Sequence, residues 1–214
     1  MPRPAFVSLD GLDGTGKSTQ ARLLAEWLSA QKVPVTSCTD PGGTALGAEL
    51  RRILLFGREH RIGTTTEAML FMASRAQLVE EVIRPALERG EVVISDRFLL
   101  ANVVYQGHAG GLSADDLWAV GRVATGGLEP DLTLVFDLPL EVAVQRRNRD
   151  ADRMEAKGEE YFARVRTGFT YEAGVRPHLH RLVDATPDAE TVQRAVRREV
   201  ARLLTDHGWN VTES

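Results

Sequence analysis

Nine consecutive residues, Gly11-Leu12-Asp13-Gly14-Thr15-Gly16-Lys17-Ser18-Thr19, carry the pattern G-x-x-x-x-G-K-[ST] and with it a definite chemistry. Gly11, Gly14 and Gly16 let the backbone curl until several N–H groups face one point, the geometry that cradles phosphate oxygens. Lys17 brings a positive charge to the outer phosphates, the Ser18 hydroxyl can ligate Mg2+, and Thr15 and Thr19 complete the cradle. The expected ligand is a nucleoside triphosphate.

A second group, Asp96-Arg97, closes the apolar run Val92-Val93-Ile94-Ser95. At the carboxyl end of a strand, Asp96 can hold Mg2+ or its waters and Arg97 can fork onto a phosphate. A buried structural ion pair is the alternative reading of the same dipeptide. Phe71 and Arg75 stand four apart, on one face of a helix. From their spacing alone they read as a core phenylalanine beside a packed arginine stem.

These residues need a scaffold that delivers them to one place. Strand-like runs at 6–9, 33–38, 92–95, 132–136 and 182–184 alternate with helical patterns, the signature of an α/β fold with a parallel sheet. The expectation is a three-layer α/β/α architecture of the P-loop NTPase type, with five strands in one domain spanning 1–214. Thr64-x-x-Glu67 reads as a capping box opening a long helix to residue 84, where Pro85 kinks or ends it, and Ser113-x-x-Asp116 opens another. Further helices are expected at 159–176 and 189–204. The stretch from Arg146 to Lys157, R-R-N-R-D-A-D-R-M-E-A-K, lacks apolar periodicity, so 146–158 is expected to be a short mobile lid.

Composition narrows the function classes. A net charge of −4 argues against a general nucleic-acid coat. No apolar run is long enough to span a membrane, and the first strand follows closely on Met1, so a cytoplasmic location is expected. The lone Cys38 has no partner for an internal disulfide. A GTPase switch would carry Asn-Lys-x-Asp, yet none of Asn102, Asn148 and Asn210 is followed by lysine. Arginine outnumbers lysine 23 to 3, so an arginine cluster alone is weak evidence of an anion site.

In order along the chain come the phosphate loop, D-P-G-G-T at Asp40 to Thr44 and F-M-A-S-R-A-Q at Phe71 to Gln77. D-R-F then Y-Q-G follow between Asp96 and Gly107, with P-D-L-T at Pro130 to Thr133, D-R-M-E at Asp152 to Glu155 and V-D-A-T at Val183 to Thr186. In this order and spacing the chain resembles bacterial thymidylate kinase over nearly its whole length. The resemblance implies transfer of the ATP γ-phosphoryl group to dTMP, with Mg2+ as cofactor, and a homodimer. It implies that Phe71 stacks on thymine, that Arg75 donates to a base carbonyl and that Asn102 pairs with the pyrimidine edge, with Gln106 beside it. Tyr105 takes the place where the family excludes a ribose 2′-OH. Asp13 approaches the acceptor sugar and Arg51 the acceptor phosphate, while Arg146 stacks on adenine across from the 184–186 turn that holds Ala185.

The acceptor oxygen belongs to a phosphate whose second pKa is about 6, so it needs no strong general base. Catalysis then rests on positioning and charge neutralisation by Lys17, Arg97 and the lid. Some relatives place an arginine after the loop acid, where this chain has Gly14. The compensating charge is therefore expected from the lid, with Arg147, Arg149 and Arg153 as candidates. Thr39 and Ala101 also depart from the family pattern, which has arginine and serine there.

Overall fold

A computed structural model of the chain describes residues 2–57, 61–146 and 158–212. Its strands are β1 (Ala5–Gly11), β2 (Val35–Thr39), β3 (Val92–Asp96), β4 (Leu132–Asp137) and β5 (His180–Asp184). The helices are α1 (Lys17–Ala30), α2 (Ala45–Phe56), α3 (Thr64–Leu78), α4 (Arg84–Glu88), α5 (Leu99–Asn102), α6 (Ala114–Thr125), α7 (Leu140–Gln145), α8 (Glu159–Val175) and α9 (Ala189–Asp206). Two π-helical segments, Val79–Ile83 and Val103–His108, interrupt the helical runs.

All strand pairs are parallel, in the order β2-β3-β1-β4-β5. Every residue of β1 is buried, as both faces of a parallel sheet are covered by its crossover helices. The period of two decides which layer each residue meets. Val7, Leu9, Ile94 and Phe136 pack with Leu24 and Leu28 of α1 and Val196, Val200 and Leu204 of α9. On the opposite face, Phe6 and Val93 meet Met72 of α3 and Leu117 of α6, and Val135 meets Val165 and Phe169 of α8. The three layers and the five-stranded parallel sheet are those expected.

Boundaries and caps differ in instructive places. β2 begins at Val35 rather than residue 33, and β5 begins at His180 rather than 182. Thr64 does not cap α3: Gly63 is the N-cap and Thr64 the first helical residue, without a side-chain cap bond. Glu67 instead turns inward, 1% exposed. Pro85 does not end the helical run, because the widened turn at Val79–Ile83 leads directly into α4, and such a turn accommodates a residue that lacks an N–H. Ser113 does cap α6, accepting from the Asp116 N–H at 3.2 Å.

Candidate active site

β1 is the central strand, so the loop leaving its carboxyl end opens at the middle of the sheet. Gly14 and Gly16 take φ of 87° and 90°, the left-handed region that a side chain disfavours. A Cβ on Gly14 would also lie 2.3 Å from the carbonyl oxygen of Ala143 in α7. Lys17 Nζ donates to the Leu12 carbonyl at 2.6 Å, and Thr15 Oγ1 donates to the same oxygen at 2.8 Å. Burial lowers the Lys17 ammonium to about 8, Arg97 pushes the same way, and Asp13, Asp96 and Asp10 oppose them. Thr19 is exposed in the first turn of α1.

Asp96 and Ser18 come together at the end of β3: Ser18 Oγ donates to Asp96 Oδ2 at 2.5 Å. A hydroxyl and a carboxylate side by side are hard oxygen donors beside the phosphate loop, a donor set that fits Mg2+. Arg97 points the other way, with φ at 72° in a non-glycine residue, a conformation that persists only where the surroundings impose it. Its Nη1 donates to the Gly11 carbonyl at 2.9 Å and its Nη2 to Asp13 Oδ1 at 2.8 Å. The Tyr105 hydroxyl donates to Asp13 Oδ2 at 3.3 Å, with the Arg97 guanidinium 5.2 Å from the Tyr105 ring centroid. Burial raises the Tyr105 phenol pKa and so keeps it a donor. Of the two readings of Asp96-Arg97, the structure pairs each residue with the phosphate loop: Asp96 through Ser18, Arg97 through Asp13.

From Asp13 and Arg97 a cleft with about 560 Å3 of empty volume runs between α2, α3 and the helical run 99–108. Arg51, Phe71, Arg75, Asn102, Tyr105 and Gln106 all line it, so every acceptor-side residue singled out in the sequence meets here. Arg75 is buried at 1% exposure and donates from Nε to Asp40 Oδ2 at 2.6 Å and from Nη1 to Asn102 Oδ1 at 3.0 Å. Burial pushes the Asp40 carboxyl above the ordinary carboxylate range, and Arg75 pulls it back. Arg51 Nη1 donates to the Pro41 carbonyl at 2.8 Å.

Across the sheet, Arg146 at the end of α7 donates Nη1 to the Ala185 carbonyl at 2.6 Å and Nη2 to the Thr186 carbonyl at 2.8 Å. The two segments expected to flank a purine are therefore joined. Arg147, Arg149 and Arg153 lie outside the described residues. Three residues have roles that the sequence did not disclose. Asp40 anchors Arg75, although its motif was visible. Glu67 presents as a cap residue but joins the buried polar chain. Arg166 forks onto Asp137 at 2.7 and 2.9 Å at the end of β4, one arginine among many until the fold selects it.

A phosphate loop on the central strand and a second cleft meeting it at one carboxylate define a phosphotransferase of the P-loop class. The family model described as thymidylate kinase matches residues 9–196. The "Thymidylate kinase" of Symbiobacterium thermophilum is 46% identical over 200 residues, covering 93% of this chain and 94% of that protein. That of Rhodopirellula baltica is 48% identical over 194 residues, covering 89% and 78%. The crystal structure of thymidylate kinase from Ehrlichia chaffeensis aligns with a TM-score of 0.76 at 27% identity, covering 93% of this chain and 99% of that one. The chain belongs to the thymidylate kinase family.

Proposed function

We propose that this chain transfers the γ-phosphoryl group of ATP to dTMP, giving ADP and dTDP, within one domain spanning 1–214. The observation that carries this reading is the junction at Asp13, where the cleft opens onto the phosphate loop, with Arg75 hydrogen-bonded to Asn102 in its lining. A dTMP phosphate oxygen, already largely ionised near neutrality, attacks the γ-phosphorus as the bond to the β-bridging oxygen breaks. Lys17, the backbone N–H groups of 14–19 and Arg97 hold the charge on the phosphates. Phe71 stacks on thymine, Arg51 reaches the acceptor phosphate, Asp13 and Tyr105 contact the sugar, and Arg146 packs on adenine beside Ala185. When bound, Mg2+ offsets phosphate charge, and Ser18 and Asp96 would hold it.

Arg149 and Arg153, which lie outside the described residues, supply the charge that Gly14 cannot. Replacing either with alanine lowers kcat more than it weakens nucleotide binding; a pure KM effect removes that residue from the transition-state role. Turnover of a panel of nucleoside monophosphates with Mg-ATP tests the reaction itself, and failure to phosphorylate dTMP overturns it. Both substrates are soluble nucleotides of the cell interior, the ground for a cytoplasmic location. Among the described residues, no helix is long and apolar enough to cross a membrane. A homodimer follows from the same reading. Sedimentation showing only monomer removes that part.

A further inference from the structure

Beneath the acceptor cleft lies a buried polar chain that the proposed reaction does not by itself require. It starts at Asp40 and Arg75 and passes through two amides to a carboxylate. Arg75 Nη1 donates to Asn102 Oδ1 at 3.0 Å, Asn102 Nδ2 to Gln106 Oε1 at 2.7 Å, and Gln106 Nε2 to Glu67 Oε1 at 2.9 Å. Arg75, Asn102, Gln106 and Glu67 are each at most 2% exposed, so water does not compete for these bonds.

An amide's oxygen and nitrogen are nearly the same size, and its orientation is chosen by its neighbours. Here both ends of the chain are unambiguous, since a guanidinium only donates and a carboxylate only accepts. Glu67 demands the N–H of Gln106, which turns the Gln106 oxygen toward Asn102. Asn102 must answer with its own N–H, leaving its oxygen beside Arg75. A base edge laid against this pair meets a donor next to an acceptor. Thymine and uracil match it, with a carbonyl beside a ring N–H. Cytosine opposes it, with an amino group beside a bare ring nitrogen.

We propose that Glu67 is a specificity-determining positioning residue: acting through Gln106, it holds the Asn102 amide from the side opposite Arg75 in the direction that Arg75 requires, and so strengthens selection of a carbonyl and N–H base edge over an amino and imine edge. The inference rests on the acceptor reading above and extends it to a residue that need not touch substrate. Two carboxylates, Asp40 and Glu67, then pin opposite ends of one directional chain.

Swapping the chain's polarity tests this. Glu67→Gln keeps size but lets residue 67 donate or accept, so Gln106 can turn over and set its N–H against that of Asn102, leaving Arg75 alone to hold the Asn102 oxygen. The expected result is a KM for dTMP raised about fivefold to tenfold, the difference between a charged and a neutral hydrogen bond, with kcat at saturation nearly unchanged. The dTMP to dCMP ratio of kcat/KM falls by a similar factor. Gln106→Glu alone brings two carboxylates together and is worse. In the double variant E67Q/Q106E the amide now at position 67 donates to the carboxylate now at position 106, which again accepts from Asn102. The ratio is then restored to within about twofold. If E67Q lowers thermal stability while the ratio stays at the wild-type value, or if the double variant fails to restore it while remaining folded, the proposal is overturned. Equilibrium binding of dTMP and dCMP by calorimetry reads the same selectivity without turnover. Wild type that binds dTMP over dCMP yet transfers no phosphoryl group refutes the reaction and leaves the polarity chain standing.

Discussion

Lys17 is held ready for phosphates in a buried site that disfavours its charge. Burial, with Arg97 beside it, brings the ammonium down to about 8, so the free protein loses that proton as pH rises through 8. A polyphosphate supplies negative charge and raises the pKa again, which means that binding above pH 8 takes up a proton. The affinity for ATP is therefore expected to fall by about tenfold per pH unit on the alkaline side. Calorimetry in buffers of different ionisation enthalpy should detect close to one proton taken up at pH 9 and little at pH 6.5. Lys17→Arg keeps its charge and should flatten the limb; an unchanged limb in that variant assigns it to another group. The chemistry at this position was legible because nine adjacent residues specify it. Glu67 was not, because a glutamate three residues after a threonine suits an exposed cap as well as a buried anchor. Only the approach of Val103–His108 to α3 separates the two.

Between elements, the close approach of α7 to the phosphate loop explains why position 14 is glycine. An added Cβ would press against the Ala143 carbonyl at 2.3 Å, on a backbone with φ of 87°. Restoring the arginine that some relatives carry there should therefore not restore their chemistry. Gly14→Ala and Gly14→Arg are expected to cost about 3 kcal/mol of stability, from left-handed strain and overpacking together. Denaturant unfolding measures that cost, and neither variant should gain turnover. A stable Gly14→Arg with raised kcat contradicts the packing argument and the lid reading alike. Sheet and layers were legible because fully buried parallel strands read as apolar runs. The π-helical segments were not, since a widened turn changes the hydrogen-bond partner without changing the apolar pattern. Those segments matter here: one carries the helical run to Pro85, and the other bears Tyr105 and Gln106.

For the molecule as a whole, the site is maintained against stability, and Asp10 shows how. It sits in β1 at 0% exposure, accepting from Ser8 Oγ at 3.2 Å, while its Oδ1 is a buried oxygen without a hydrogen-bond partner among the described residues. Burial raises its pKa to about 6 from 3.8, with Arg97 and Lys17 pulling it down. Because the folded state holds this proton more tightly than the unfolded chain, the associated stability is fully present below pH 3.8. It is lost as pH rises through about 6. The loss approaches about 3 kcal/mol at neutral pH, two pKa units at 1.36 kcal/mol each. Asp10→Asn should therefore melt several degrees above wild type at pH 7.5, with the gap closing toward pH 4. The carboxylate earns its place through its field: it is one of three that support the Lys17 charge. The same variant should move the alkaline limb of ATP binding to lower pH while making the fold more stable. Thermal melts and ATP titrations across pH 4 to 9 read both effects on one protein. A melting gap that does not vary with pH means that Asp10 binds its proton equally in the folded and the unfolded chain, and the opposition between stability and phosphate binding then has to be sought at Asp40 and Arg75 instead.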